Sequence, residues 1–367
     1  MTDLRDAPMP VDPAPSEAVP ALPTGVRMGS DVSFVFRLRP VLVTAVAAAL
    51  AFVCFCASIR IGDLPMSFGD VLQALVGAGD EVNRFIVNDL RLPRALMGVI
   101  VGAALGMSGA IVQSISHNPL ASPDLLGISS GAGVAAVFLI TAGGTAAGLS
   151  RYGLPAAALA GGLVTGAIVY VLAARGGMDG IRLILIGVAV NALMHAVITW
   201  MLVRADMRDV GAAKTWLVGS LDARTWDQIV GVGAVAAVAA MIALGASFAL
   251  RAVQLGDDVA RGLGVGIGRT RAVLLIAAVV LAAVSVAGAG PIAFVAFVCP
   301  QVALRLTGLS SPPLVSSAVI GAAMLSGADL LTRTLLPDYL PVGIVTSAVG
   351  GPFLVYLLVR QNLKGKR

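Results

Sequence analysis

Ten apolar runs, each about the length that crosses a bilayer, set the limits on what this chain can become. They fall near 41–59, 95–116, 125–142, 154–174, 181–203, 228–250, 271–289, 291–308, 312–333 and 341–360. A spanning helix needs roughly 20 apolar residues. The composition removes the soluble alternative. Hydrophobic residues make up 58 % of the 367 and charged residues 12 %, where a soluble domain carries about 25 %. A soluble core of this size needs a charged skin, and this chain has too little charge to make one. The expected fold is an all-α polytopic membrane protein of about ten transmembrane helices, with the lipid bilayer as the solvent for most of its surface.

An even number of spans puts both ends on one side. Both ends are basic: Arg27, Arg37 and Arg39 precede the first span, and Arg360, Lys364, Lys366 and Arg367 follow the last. The positive-inside rule makes both termini cytoplasmic. It also leaves Arg91 and Arg94 outside, which asks for a separate reason. The pI of 9.5 does not point to nucleic acid, because no contiguous basic face carries aromatics. Residues 1 to about 32 are rich in Pro, Asp, Ala and Ser and have no apolar period, so disorder is expected. They lack the basic start and short apolar core of a signal peptide. The expected division is a disordered cytoplasmic tail, 1–38, and a transmembrane domain, 39–367. The GAGP turn at 288–291 predicts a tight outer hairpin in which Pro291 opens the second helix. Gly102 and Gly106, Gly127 and Gly131, and Gly162 and Gly166 are small pairs at the spacing that lets helix backbones approach in lipid.

No catalytic constellation is present. GAAKT at 211–215 lacks the glycine that precedes the lysine of a phosphate loop. GVGIG at 264–268 has no strand before it. Cys54, Cys56 and Cys299 lie in apolar runs and read as small buried hydrophobes. With only His117 and His195 beside them, they draw no metal site. Uphill transport by such a chain needs an ion gradient or another subunit. Ion coupling usually uses carboxylates inside the membrane. One good candidate exists, Asp329, four residues before Arg333, and that spacing equally describes a pair settling a helix end. Asn191, His195 and Thr199 share a helix face; they either line a cavity or supply hydrogen bonds between helices. QLGDDVARGLGVGIGRTR, 254–271, reads as a short amphipathic helix followed by glycines. It is a docking surface for a soluble partner or a solvated loop.

HNPLASPDLLGISSGAG, 117–133, interrupts an otherwise apolar stretch. Backbone broken by Pro119 and Pro123 is tolerated only beside water or protein. Asp124 or Ser122 can cap the next helix, and Gly127, Gly131 and Gly133 let it pack closely.

RLPRALMGVIVGAALGMSGAIVQSISHNPLASPDLLGISSGAG (91–133), LGDDVARGLGV (255–265), AGPIAFVAFVCPQVALRLTG (289–308) and ADLLTRTLLPDYLPVGIVTSAVGGPFLVYLL (328–358) strongly resemble the permease subunits of iron-chelate and cobalamin ABC importers, the FecCD family. The resemblance runs in order from about residue 40 to the end. It implies a type II ABC importer permease bundle of ten helices in a bacterial cell membrane, working as a homodimer or with a sister permease. It implies two cytoplasmic ABC ATPase subunits that hold ATP and Mg, no cofactor on this chain, and a periplasmic or lipid-anchored substrate-binding protein.

Carried over by position, Arg91 and Arg94 in RLPR, with Arg333 in ADLLTR, match arginines that meet acidic groups of the binding protein. That supplies the missing reason for cations outside. Gly256, Asp257, Asp258, Arg261, Gly262, Leu263 and Gly264 fall in the coupling segment, 254–268, that seats in the ATPase. Asn118 and Leu120 match the cytoplasmic gate. Where many members carry Gly-Phe-Val-Gly and Pro-His, this chain has Ala293-Phe294-Val295-Ala296 and Pro300-Gln301. The Gln form is more similar to the ferric-siderophore branch than to the cobalamin branch. Near Asp179, Gly180 and Ile181, where a second gate would fall, the small hydroxyl residues of the cobalamin type are missing. The expected function is translocation of a ferric siderophore. The alternatives are a cobalamin or haem permease of the same family, an ion-coupled secondary transporter and a membrane scaffold that transports nothing.

Overall fold

The computed structural model describes residues 25–27, 33–35, 37–62, 64, 66–142, 153–175, 180–335 and 340–364. Asp179 and most of the 1–38 tail lie outside the described residues. Within the tail, β1 (Gly25–Arg27) and β2 (Ser33–Val35) pair antiparallel.

The other regular elements among the described residues are helical. The long helices are α1 (Leu38–Arg60), α4 (Leu92–Ser116), α6 (Gly153–Ala174), α7 (Gly180–Arg204), α9 (Trp226–Gly245), α12 (Ile267–Ala289), α14 (Leu314–Thr334) and α15 (Val342–Lys364). Eight helices among the described residues are long and apolar enough to cross a membrane. Two of the ten expected spans are shorter, α5 (Ile128–Thr141) and α13 (Val295–Thr307), with 14 and 13 residues. At 1.5 Å per residue, α13 covers about 20 Å of a hydrocarbon layer about 30 Å thick. Irregular backbone adjoins both α5 and α13. A 3₁₀ turn at Pro123–Leu126 precedes α5, and the segment 290–294 precedes α13. Such backbone survives in a membrane only where protein covers it, and the first seven residues of α13 are all buried.

The hairpin before α13 differs from its sequence expectation. Pro291 lies in the connection, and the helix opens four residues later, after Phe294 in the left-handed conformation (φ 70°). The reason is packing. The carbonyl of Ala289 accepts from the amide of Ser220 at 2.8 Å, and the Pro291 carbonyl lies where a side chain on Gly219 would stand. A helix starting at Pro291 would lose this seat.

α4 is the axle of the bundle. Nineteen of its 25 residues are buried, and it packs chiefly on α14, α12 and α13. Gly102 and Gly106 face the backbone of α14 at Gly321 and Ser317, and Gly109 faces Ala296 of α13. Gly131 of α5 meets Thr165 of α6, while Gly162 and Gly166 of α6 meet Ala283 and Val279 of α12. The small-residue pairs in the sequence therefore mark helix crossings, with one difference. Gly127 is a left-handed turn residue (φ 75°) that starts α5.

Short helices sit between the spans. At the end that carries Asp329 these are α2 (Phe68–Leu75), α3 (Glu81–Phe85) and α8 (Met207–Val218). At the opposite end, which carries Asn118, they are α10 (Ser247–Gln254) and α11 (Asp257–Gly262). A π-helical turn, Ile86–Arg91, joins α3 to α4.

Candidate functional site

At one end, α4 and α14 bring together charges that lie 235 residues apart. Asp329 is 2 % exposed. Arg94 donates to its Oδ1 from Nε at 3.0 Å and from Nη2 at 2.8 Å. Arg333 reaches Oδ2 at 3.0 Å from one turn along α14. Arg94 also donates from Nη1 to Asp222, which stands on the loop after α8 with a 61 % exposed side chain. That loop is self-braced. Ser220 donates to Asp222 at 2.6 Å, and Arg224 donates to the Ser220 carbonyl at 3.2 Å. Burial pulls the Arg224 guanidinium below its ordinary pKa; Asp222 opposes this and Arg94 adds to it. The cluster holds Arg94, Arg224 and Arg333 against Asp222 and Asp329, so it is net cationic. Both Asp329 oxygens are engaged by cations of the chain itself, as in a pair that settles a helix end.

Arg91 stands differently from the docking cation expected of it. It is 7 % exposed. Its guanidinium donates to the carbonyls of Ile59, Arg60 and Leu64 at 3.0, 2.9 and 2.6 Å. It closes the end of α1 against the start of α4, so its charge is used within the chain. Buried carbonyls left without a donor are costly. Arg91→Met is expected to lower stability by about 2 kcal/mol, read as an earlier thermal unfolding transition in detergent.

The opposite end carries the polar break after α4. His117 turns the chain with φ 49°. Asn118 Oδ1 accepts from the Leu120 amide at 2.9 Å, a local turn that holds Leu120 in place. Leu120 is partly buried against the cluster of Phe297, Val298 and Leu357. Ser122 caps the 3₁₀ turn through the Leu125 amide. Asp124 instead takes a hydrogen bond from Ser129. Burial raises its carboxyl pKa and the Ser129 bond partly offsets this. A raised folded pKa contributes stability below the unfolded carboxylate pKa of about 3.9. That contribution is lost as pH rises through the folded value. Asp124→Asn keeps an acceptor for Ser129, so it is expected to raise the unfolding temperature at pH 7 and leave it unchanged at pH 3. Thermal melts at the two pH values check this.

The expected coupling segment spans the end of α10, then α11 and the turn after it. Gly256 enters α11 with φ 108° and Gly264 leaves it with φ 76°, conformations that favour glycine. Asp257 is pinned to α12 by Arg271 at 2.8 Å. Asp258 and Arg261 pair at 3.3 Å, both well exposed, and such a pair adds little stability. Leu255, Val259 and Leu263 are exposed at four-residue spacing, so a short apolar ridge faces outward. Gly262 has open space around its Cα.

On α7, Asn191 is partly buried, while His195 and Thr199 are exposed. Thr199 donates to the His195 carbonyl of its own helix at 2.9 Å. Among the described residues this stripe ties no second helix.

Two polar features carry no local signal. Gln301 donates to Gln113 at 2.7 Å, and Gln113 donates to the Phe297 carbonyl at 3.0 Å, all buried. This joins α4 to α13 beside Pro300. Gln301 stands out in the sequence by position, but nothing beside Gln113 marks it as the partner. Asp222 is likewise visible only as part of a polar loop. Among the described residues, no group of three His, Cys, Asp or Glu stands close enough to hold a metal ion.

A bundle of spanning helices with a braced charge cluster at one end and an exposed short helix at the other defines a multi-pass membrane protein of transporter type. Residues 50–360 match the model of the FecCD transport family, and the chain belongs to that family. It is 38 % identical over 330 residues to the iron(3+)-hydroxamate import system permease protein of Bacillus subtilis (strain 168), covering 88 % of this chain and 98 % of that one. It is 38 % identical over 336 residues to the ferric enterobactin transport system permease protein of Escherichia coli (strain K12), covering 90 % and 99 %. A solved structure of a metal-chelate type ABC transporter in an inward-facing conformation superposes with TM-score 0.76 at 26 % identity, covering 87 % of this chain and 99 % of that one.

Proposed function

We propose that this chain is the transmembrane permease subunit of a binding-protein-dependent ABC importer that moves a ferric siderophore into a bacterial cytoplasm. Family membership over residues 50–360 carries this reading, and the names of the two relatives favour a siderophore as cargo. The chain holds no nucleotide-binding loop, so ATP and Mg belong to two separate cytoplasmic ATPase subunits. Both termini are cytoplasmic.

In this reading the coupling segment seats in an ATPase through Leu255, Val259 and Leu263, with Asp258 and Arg261 as flanking charges. Their exposure supports the assignment, because a single subunit gains nothing by presenting an apolar ridge. The Asp257–Arg271 pair supports it too, since a docking helix must pass its displacement to α12. At the far end, Arg94 and Arg333 meet acidic groups of the binding protein. Arg333 spends Nη2 on Asp329, and the cluster of Arg94, Arg224 and Arg333 against Asp222 and Asp329 keeps a net positive charge, which suits an acidic partner. Arg91 shapes this surface from behind. The pathway runs between two permeases, past the outward α7 face of Asn191, His195 and Thr199. Asn118 and Leu120 narrow it at the cytoplasmic side, where a turn locked by Asn118 carries the Leu120 side chain.

The coupling role is tested with Val259→Asp and Arg261→Glu. Both positions are exposed, so unfolding temperatures are expected to stay at the native value. ATP-dependent uptake is expected to fall about tenfold, the effect of losing on the order of 1.4 kcal/mol of docking energy. Normal uptake by both variants would remove the ridge from the ATPase interface.

A further inference from the structure

A groove of ≈ 670 Å³ runs between α9 and α12. Its nine lining residues are all Ala, Val or Ile. No side chain there can orient a polar solute, which a small-molecule site normally requires. Val235, Val238, Ile242, Val273 and Ile276 are exposed, so the groove opens sideways from the bundle. It runs from Ala234 to Ile242 on α9 and from Val273 to Val280 on α12, about 12 Å at 1.5 Å per residue. That is close to one leaflet of a hydrocarbon layer about 30 Å thick.

The end of the groove nearest α10 is charged. Arg269, Val273, Ile276 and Val280 recur at i, i+4, i+7 and i+11, one face of α12. Arg269 thus extends the aliphatic stripe by about 6 Å, to the level where lipid headgroups begin. It is exposed, and no ion pair engages it among the described residues. Two arginines nearby differ: Arg271 is paired with Asp257 and Arg261 with Asp258. Arg251 is also exposed, on α10, which packs against both α9 and α12.

We propose that this groove holds an acyl chain of an anionic glycerophospholipid whose phosphate sits on Arg269. The aliphatic lining takes the chain, and its depth matches one leaflet. The unpaired cation at its mouth selects the negative headgroup. The proposal rests on the orientation argued above, with α10 and α11 cytoplasmic, the leaflet where anionic lipid concentrates in cells. Because α12 also receives the coupling segment through Arg271, the bound lipid would brace the helix that transmits ATPase movement.

The test is native mass spectrometry of the delipidated full chain in detergent, titrated with phosphatidylglycerol or with phosphatidylcholine of the same acyl chains. The native protein is expected to retain phosphatidylglycerol severalfold better. Arg269→Ala is expected to abolish that difference, and Ile276→Trp, which fills the groove, to lower retention of both lipids. Arg208→Ala, on exposed α8, is expected to change nothing. Equal retention of both lipids by the native protein would overturn the site. So would an undiminished preference in Arg269→Ala or undiminished retention in Ile276→Trp. Orientation is read separately, by labelling Arg269→Cys in sealed vesicles. Labelling from the outside only would overturn the inner-leaflet source while leaving the detergent result intact.

Discussion

Replacing Asp329 with alanine is expected to cost about 3–5 kcal/mol, the usual effect of breaking a buried ion pair from one side. The carboxylate is 2 % exposed and receives Arg94 and Arg333 together. Without it, two guanidiniums face each other at the end of α14 with only the exposed Asp222 left to balance them. The loss should appear as a thermal unfolding transition many degrees earlier and as poor recovery from membranes. A companion variant separates charge from packing. Arg94→Met, Asp329→Leu and Arg333→Leu combined remove all three charges and keep much of the volume. That triple variant is expected to recover most of the lost stability, because apolar replacement of a buried ion cluster is often neutral. It is expected to lose stimulation by the binding protein all the same. If Asp329→Ala unfolds at the native temperature, the cluster is not the brace described above.

The second large effect is expected at Gly109. A side chain there would run into the Ala296 carbonyl on α13, whose carbon would stand 2.6 Å from the new Cβ. Both partners are helix backbone in the buried middle of the bundle, so neither can rotate away. Gly109→Val is expected to cost about 3 kcal/mol, at the upper end for overpacking. It should also disturb the adjacent Gln113 bond to the Phe297 carbonyl. Gly231 on α9 is the control. Nothing lies within 4 Å of a Cβ there, so Gly231→Ala is expected to gain about 0.5–1 kcal/mol from helix propensity. Unfolding temperatures of the two variants, measured side by side, check the contrast.

These two sites also show what the sequence makes legible. The ten spans are readable because each is a long apolar run, and lipid imposes that signal on any helix that crosses it. The short helices α2, α3 and α8 give no such run, so they are invisible to the same window. Gly102 and Gly106 announce a close crossing, but not that Gly321 and Ser317 stand opposite. Asp329 and Arg333 are four residues apart and can be paired on paper. Arg94 cannot be placed with them by spacing, since the partners come from helices 235 residues apart. The reverse error occurs at Arg91. It sits in a motif that invites a docking role, yet its side chain meets the chain's own carbonyls. Pro291 fails in the same way: the local rule for a helix start is sound, but the seat against Gly219 and Ser220 overrides it. Local preference describes elements well, and it is silent on which distant backbone or charge completes them.

The most direct test of the account is uptake of radioactive iron–siderophore by proteoliposomes that hold this permease with its binding protein, with and without the partner ATPase. The account predicts uptake only when the ATPase and ATP are both present, and none when a proton or sodium gradient is imposed without them. Uptake driven by an ion gradient in vesicles lacking the ATPase would contradict it.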